Sequence, residues 1–178
     1  MPEPVTLVLG GAASGKSAFA QQLAEQFPGP LLYVATAGCG DTEMAARIAR
    51  HQQARGPRWQ TREAPFDLAG MAPAAAGHGA ILVDCVTLWL SNLLLAHEDT
   101  EAVLKAVESF ITTFAHLPAP LFLVSNEVGQ GIVPDNALAR TFRDLSGNVN
   151  QRLAACADQV WLVTAGLPFA LKSRSLSR

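Results

Sequence analysis

The sequence predicts an α/β fold in which a mostly parallel sheet carries helices on both of its faces. Short apolar strand patterns alternate with helical patterns along the chain, and 49% of the residues are hydrophobic although only 7% are aromatic. Strands buried on both sides are continuous apolar runs, and the helices between them cover the two faces of the sheet. At 178 residues the chain has the length of a single domain with its own core.

The predicted elements follow one another without a linker or an internal repeat. The strands are apolar runs at residues 5–9, 31–35, 80–83, 121–124 and 159–163. The helices occupy residues from the first turn to about 27, then 43–55, 88–96, 101–116 and 136–157. We therefore predict one domain over residues 1–171, followed by a flexible tail at 172–178 that is rich in Ser and Arg.

Residues 10–17 match the phosphate-binding pattern G-x-x-x-x-G-K-[ST] at every fixed position, being Gly10, Gly11, Ala12, Ala13, Ser14, Gly15, Lys16 and Ser17. The pattern follows a buried strand and opens a helix, which is the context that it requires. Backbone N–H groups of the small residues surround the phosphates, Lys16 reaches the β- and γ-phosphates, and Ser17 is placed to coordinate Mg²⁺. The sequence therefore predicts a nucleotide-binding domain of the P-loop NTPase (RecA-like) class.

A P-loop needs an acidic residue at the end of another central strand to hold the metal ion. Asp84 directly follows the strand at 80–83 and is the candidate for this role. The alternative is that Asp84 caps the helix that starts near Val86. The two roles are compatible with each other.

Several other functions are excluded or disfavoured by the sequence. The two D-x-x-G matches, at 67–70 and 144–147, do not follow buried strands, and no N-K-x-D motif is present, which argues against a GTPase switch. A formal charge of −2 argues against nucleic-acid binding. No apolar run approaches the length of a membrane span and the chain does not start like a signal peptide, so we expect a cytoplasmic protein without membrane insertion.

The helix predicted at 43–55 carries Arg47, His51 and Arg55, which are four residues apart and share one face. A neutral imidazole there is able to attack a phosphorus atom while the guanidinium groups hold the phosphate oxygens. An exposed basic face with a surface histidine explains the same spacing. Periodicity does not distinguish these two interpretations.

The chain resembles the cobinamide kinase and cobinamide-phosphate guanylyltransferase family along nearly its whole length. The blocks that carry this resemblance are the P-loop, Tyr33-Val34-Ala35-Thr36-Ala37, Glu43-Met44-Ala45-Ala46-Arg47-Ile48-Ala49-Arg50-His51, Trp59 with Glu63, Asp84-Cys85-Val86-Thr87-Leu88-Trp89-Leu90-Ser91-Asn92-Leu93-Leu94, and Asn126-Glu127-Val128-Gly129-Gln130-Gly131-Ile132-Val133-Pro134. Several of these blocks are specific to the family, unlike the P-loop alone, and the blocks occur in the family's order.

The resemblance implies two reactions in one enzyme. The first transfers a γ-phosphate from ATP or GTP to the aminopropanol hydroxyl of adenosylcobinamide. The second transfers GMP from GTP to adenosylcobinamide phosphate, through a GMP–histidine intermediate on the residue that corresponds to His51. With Lys16, His51 is thus a predicted catalytic residue, and Ser17 and Asp84 are the predicted Mg²⁺ ligands. The resemblance also implies a homotrimer.

The nucleotide contacts that the family implies extend beyond the P-loop. They are Ala35, Thr36, Ala37, Gln52, Gln53, Ala54, Arg55, Glu63 and Asp84. One departure is visible: the family's P-loop often reads G-G-A-R-S-G-K-S, and Ala13 stands here in place of that arginine. Since the backbone makes the main phosphate contacts, we expect the loop to keep its conformation.

The segment at 126–134 follows a predicted strand at the ligand edge of the sheet, so it is expected to close over nucleotide or cobinamide; an ordinary connection is the alternative. On the following helix an apolar stripe is predicted to be buried, comprising Leu138, Phe142, Leu145, Val149 and Leu153. Two other functions stay open from the residues alone. They are a P-loop kinase of another small alcohol and, less favoured, a nucleotide-dependent regulatory module.

Overall fold

The computed structural model describes residues 3–37 and 55–173 of the chain. Seven strands within these residues form one sheet. Its strands are β1 (Val5–Gly10), β2 (Leu31–Ala35), β3 (Trp59–Glu63), β4 (Ala80–Asp84), β5 (Leu121–Asn126), β6 (Gln159–Thr164) and β7 (Leu167–Lys172). The order across the sheet is β3-β2-β4-β5-β1-β6-β7. Every neighbouring pair is parallel except β6 and β7. The five predicted strands are confirmed, and the mostly parallel sheet with them.

The helices in the described residues are α1 (Lys16–Ala24), α2 (Val86–His97), α3 (Thr100–Thr113) and α4 (Ala137–Cys156), with 3₁₀ turns at Ala69–Ala75 and Phe114–His116. The first helix ends three residues before the predicted limit. The amides of Gln26 and Phe27 bond to carbonyls three residues back, which tightens the last turn ahead of Pro28. Of the helix predicted at 43–55, residues 43–54 lie outside the described residues.

Helices cover both faces of the sheet, as predicted. On one face, Ala20 and Ala24 of α1 pack against Val8, Leu82 and Val124 of the central strands. On the other face α2 and α4 lie on the sheet, and α3 packs over them with the 3₁₀ turn at Ala69–Ala75. Small alanine side chains let α1 approach the sheet closely, which brings its first turn beside the ends of the strands.

Two strands of this sheet were not predicted, and both lie at its edges. β3 is Trp-Gln-Thr-Arg-Glu, a polar sequence with most of its side chains exposed. β7 is apolar but exposed throughout, and it pairs with β6 through a two-residue turn at Ala165 and Gly166, both at positive φ. Such a turn matches the twist of a hairpin. An exposed edge strand needs no apolar pattern, which explains why β3 was missed. The apolar run of β7 and the turn before it were signals in the sequence that were not used.

The C-terminal part of the described chain is tied to α4. Lys172 ends β7, and its Nζ donates hydrogen bonds to the carbonyls of Ala154 and Ala155, 3.0 and 3.1 Å away. Residues 174–178 lie outside the described residues, so the division into a domain at 1–171 and a flexible tail stays a prediction. In the described part of the chain, no helix combines the length and the apolarity needed to cross a bilayer.

Replacing Phe110 by Ala is expected to lower the free energy of unfolding by about 3–5 kcal/mol, because it opens a cavity beside the rings of Trp89 and Phe114. Phe110 is 1% exposed, and its ring centroid lies 5.6 Å from that of Trp89 and 5.0 Å from that of Phe114. Urea denaturation measures the change. Leu95, which is 65% exposed on α2, is the control, and Leu95→Ala should stay within about 0.5 kcal/mol. Equal losses in the two variants would contradict the assignment of this core.

Candidate nucleotide-binding site

The loop between β1 and α1 has the geometry of a phosphate cradle. Gly15 lies at φ 93°, a left-handed conformation that favours glycine, and α1 begins at the next residue without a side-chain cap on its first N–H groups. The Nζ of Lys16 donates to the carbonyl of Gly11 at 3.1 Å. The amide of Gly166, in the β6–β7 turn, donates to the carbonyl of Ser14 at 2.8 Å, so the hairpin supports the loop. Uncapped N–H groups at a helix N-terminus attract anions.

Parallel pairing brings the ends of four strands to the same edge of the sheet. Gly10 at the end of β1 is in register with Asn126 at the end of β5, and Asp84 of β4 is in register with both Ala35 of β2 and Val124 of β5. The P-loop, Asp84 and Asn126 therefore meet although they are far apart in the sequence.

A cavity of about 420 Å³ opens at this edge. It is lined by P-loop residues, by the ends of β2, β4 and β5, and by side chains from α2 and α4: Ala12, Ala13, Lys16, Ser17, Tyr33, Ala35, Ala37, Arg55, Asp84, Cys85, Thr87, Leu88, Ser91, Asn126 and Phe142. A cavity with several convergent polar groups at the carboxyl ends of parallel strands is where ligands bind in open α/β sheets.

Asp84 faces the P-loop with one carboxylate oxygen and is held through the other. The Oγ of Ser17 donates to Oδ1 at 3.4 Å, and the hydroxyl of Tyr33 donates to Oδ2 at 3.1 Å. Burial, and then the neighbouring carboxylate of Asp84, raise the pKa of Tyr33 well above its usual value, so the phenol stays protonated and donates. Two oxygen donors so close together beside the P-loop suit a hard cation such as Mg²⁺.

The alternative role for Asp84, as a helix cap, is wrong. The N-cap of α2 is Cys85, whose Sγ accepts from the amide of Leu88 at 3.4 Å. Burial, followed by the charge of Asp84, raises the pKa of the Cys85 thiol, which keeps it in the neutral form. The Asp84 carboxylate is thus left for the cavity.

Arg55 lies on the ring face of Tyr33, with its guanidinium carbon 3.2 Å from the ring centroid. The residue is only 8% exposed, and its Nη2 has no hydrogen-bond partner among the described residues. A buried guanidinium with an unsatisfied N–H is costly without an anion nearby. The Ser14 hydroxyl, also buried, likewise finds no partner within the described part of the chain. Both groups are suited to phosphate oxygens.

A buried polar network fixes the end of β5 next to the cavity. The hydroxyl of Ser125 bonds to Asn150 Oδ1 at 2.7 Å and to the hydroxyl of Thr87 at 3.2 Å. The same Thr87 oxygen accepts from the amide of Asn126 at 2.6 Å, and Asn150 Nδ2 donates to the carbonyl of Asn126 at 3.1 Å. Strand β5, α2 and α4 are thereby joined by a mostly buried set of hydrogen bonds.

Most of the site residues that the sequence predicted, and that the structure describes, lie together, but not all of them do. Ala35, Ala37, Arg55 and Asp84 line the same cavity as the P-loop. Thr36 is fully buried beside it, and its hydroxyl bonds to the backbone of Cys85. Glu63 instead lines a second depression of about 300 Å³, formed with residues around 62–71. His51, Gln52, Gln53 and Ala54, with Arg47 of the predicted basic face, lie outside the described residues.

Several residues of this cavity were not predicted as site residues from the sequence: Tyr33, Cys85, Thr87, Leu88, Ser91 and Phe142. For Tyr33 a signal existed, because strand alternation points it to the same side as Ala35.

The predicted apolar stripe on α4 is correct for Leu145, Val149 and Leu153, but Leu138 is 55% exposed. Asn150, which is not part of that stripe, is buried in the polar network.

The chain is similar to known proteins along nearly its whole length. A family model described as cobinamide kinase / cobinamide phosphate guanyltransferase matches residues 6–171. The bifunctional adenosylcobalamin biosynthesis protein CobU of Salmonella typhimurium is 44% identical, over 93% of this chain and 98% of that protein. Protein CobP of Pseudomonas aeruginosa, with the same description, is 42% identical over 96% and 98%.

Among solved structures, the fold is similar to that of the KaiC-like protein PH0186 from Pyrococcus horikoshii. The TM-score is 0.56 at 12% sequence identity, covering 99% of this chain and 83% of that one. This similarity bears on the fold alone and agrees with the predicted P-loop NTPase-like α/β class.

Replacing Asn150 by Ala is expected to lower the free energy of unfolding by about 1–3 kcal/mol, because the Ser125 hydroxyl and the Asn126 carbonyl each lose one hydrogen bond of the network. Asn148 is exposed on the same helix, so Asn148→Ala is a matched control for the change in helix propensity. Urea denaturation of both variants gives the difference. A difference below about 0.5 kcal/mol would refute the energetic role of the network.

Proposed function

The chain belongs to the cobinamide kinase / cobinamide phosphate guanyltransferase family, and on that basis we propose a chemical role for each part of the site. As a member of this family it is a bifunctional enzyme of cobalamin biosynthesis that phosphorylates cobinamide and transfers a guanylyl group to the product. The observation that carries the assignment to this cavity is the meeting of the P-loop, the Asp84 carboxylate and the buried Arg55 guanidinium at one edge of the sheet. We propose the adenosylated forms as substrates, with ATP or GTP as phosphoryl donor.

Mg²⁺ is proposed as the resident cation, held by Ser17 and Asp84. Their oxygens lie 3.4 Å apart, a separation that suits two neighbouring ligands of one ion. When bound, the cation neutralises charge on the polyphosphate. Lys16 and Arg55 supply further positive charge to the phosphate oxygens, and phosphoryl transfer depends mainly on such positioning and electrostatics.

In the kinase reaction the acceptor hydroxyl approaches the γ-phosphorus in line with the leaving group. The hydroxyl oxygen forms a bond to that phosphorus, and the bond to the bridging oxygen breaks. The nucleoside diphosphate leaves with the electron pair, and the hydroxyl proton is released to water. Lys16 binds the charge that develops on the transferred group, so no strong general base is required.

In the guanylyl transfer we propose His51 as the nucleophile. A ring nitrogen bonds to the α-phosphorus of GTP and pyrophosphate leaves. An oxygen of cobinamide phosphate then attacks the same phosphorus, the P–N bond breaks, and the imidazole recovers its electron pair. The neutral form of a histidine is well populated near pH 7. The correspondence of His51 to the family's histidine, four residues before Arg55, supports this role, and Gln52, Gln53, Ala54 and Glu63 are proposed as further nucleotide contacts.

We also propose that the enzyme acts in the cytoplasm as a homotrimer. Exposed apolar side chains support an interface between subunits. They lie on the segment after β5, in the first turn of α4 and on β7: Ile132, Val133, Leu138, Leu167, Phe169 and Leu171. Light scattering after size exclusion tests the oligomeric state.

His51→Asn should abolish covalent labelling of the protein by α-³²P-GTP, because the attacking nitrogen is lost, while kinase turnover stays within about threefold. The labelled residue is mapped by mass spectrometry. His97, exposed at the end of α2, is the matched control, and His97→Asn should retain full labelling. Persistent labelling of the His51 variant would reject the assignment, and absence of any adduct in the unmodified enzyme would favour a kinase without nucleotidyl transfer.

Lys16→Ala should reduce both activities by at least about 100-fold, since one cation serves the polyphosphate in both reactions. Steady-state assays with cobinamide and with cobinamide phosphate measure the two reactions separately. Lys105 on α3, with an exposed side chain, is the control, and Lys105→Ala should retain both activities. A Lys16 variant with normal kinase turnover would remove the P-loop from the mechanism.

Tyr33→Phe should weaken the binding of a divalent cation with nucleotide by about tenfold, because Asp84 loses the hydrogen bond that orients it. Mn²⁺ titrations followed by electron paramagnetic resonance, with GTP present, measure this affinity directly. GTP binding in EDTA is the control and should stay within about threefold, since the ring beneath Arg55 is kept. Unchanged Mn²⁺ affinity would contradict the orienting role of Tyr33.

A further inference from the structure

The cavity continues beyond the residues that serve the nucleotide phosphates. Asp84 ends β4 and α2 begins two residues later, so the helix leads directly away from the metal-binding carboxylate. Leu88 and Ser91 of this helix both line the cavity. Residues three apart share one face of a helix, and these two are separated by about 4.5 Å along its axis.

This end of the cavity differs chemically from the P-loop end. The cationic residues of the cavity lining are Lys16, on α1, and Arg55, which stacks on Tyr33 of β2. The lining side chains that α2, β5 and α4 contribute are uncharged. Leu88 and Phe142 are half-buried and present apolar surface. The lining therefore suits a small neutral group better than another phosphate.

Two polar groups in this uncharged part of the cavity have unused hydrogen-bonding capacity. Within the described residues, the Ser91 hydroxyl and the Asn126 carboxamide make no hydrogen bond, although both line the cavity. The backbone of Asn126 is fixed on both sides by Thr87 and Asn150, so its carboxamide starts from a rigid position beside the P-loop. Rigidly supported polar groups of this kind orient a ligand at low entropic cost.

We propose that Leu88, Ser91, Asn126 and Phe142 form the subsite that receives the aminopropanol arm of cobinamide, an inference that rests on the kinase function proposed above. The arm is a three-carbon secondary alcohol joined to the corrinoid through an amide. Its hydrocarbon part packs on Leu88 and Phe142, its amide meets the Ser91 hydroxyl, and its own hydroxyl is directed by Asn126 toward the γ-phosphate.

The arrangement also accounts for the order of the two reactions. After phosphoryl transfer, the new phosphate on the arm remains near Lys16, whose positive charge offsets that of the phosphate. The acceptor for the second reaction is then the same arm in the same subsite, with its phosphate able to attack a guanylyl group. One acceptor subsite therefore serves both steps, and only the nucleotide is exchanged between them.

The test uses Leu88→Phe, which fills the subsite, and Ser91→Ala, which removes one polar partner. We expect Leu88→Phe to raise the KM for adenosylcobinamide at least about tenfold and Ser91→Ala about threefold to tenfold, with the KM for GTP within about twofold. Leu95→Phe makes the same substitution on the exposed side of α2 and should change neither constant. Should Leu88→Phe fail to fold, as judged by its Tm, Ser91→Ala carries the test.

Formation of the GMP adduct from GTP alone separates this proposal from the proposed function, because it needs no acceptor. Labelling that is retained in Leu88→Phe, together with a raised KM for adenosylcobinamide, supports the subsite. A higher KM for GTP or lost labelling, with the KM for adenosylcobinamide unchanged, would assign this end of the cavity to the nucleoside and overturn the proposal. Unchanged constants in both variants would overturn it as well. Failure of the unmodified enzyme to label would count against His51 and leave the KM comparison intact.

Discussion

The parallel pairing of β5 with both β1 and β4 is the constraint on which the site depends. β1 carries the P-loop and β4 carries Asp84, and β5 lies between them in register with both. A shift of one residue in either pairing would turn the side chains of that strand to the opposite face of the sheet. Because all three strands are packed on both faces, such a shift would disrupt the close packing of the core, and the core therefore sets the distance between the P-loop and the carboxylate.

Buried polar groups around this edge convert the rigid sheet into an oriented site. Tyr33 holds one oxygen of Asp84 and supports the guanidinium of Arg55 on its ring, while Thr87, Ser125 and Asn150 hold the backbone of Asn126. Each of these groups would cost free energy in an apolar core if it had no partner. These polar groups lie where they orient a functional side chain. We therefore assign them a supporting role, which differs from direct contact with the substrate.

Strands buried on both faces were all predictable, because burial leaves a continuous apolar run in the chain. The two edge strands were not predicted: β3 is polar, and β7 is apolar but exposed. The same distinction applies to α4, where Leu145, Val149 and Leu153 pack as periodicity predicts. Leu138 is exposed beyond the edge of the layer, and Asn150 is buried because it has hydrogen-bond partners on β5.

By itself the sequence determined the α/β class, the P-loop motif and the candidate metal-binding acid, since each depends on a local pattern of a few residues. The blocks shared with a family added the chemistry. Only the tertiary structure decided that Cys85 and not Asp84 caps α2, that Tyr33 and Arg55 stack in the cavity beside the P-loop, and that Glu63 lies in a separate depression. Those facts depend on which strand lies beside which and on where each helix packs, and neither is encoded in any short segment of the chain.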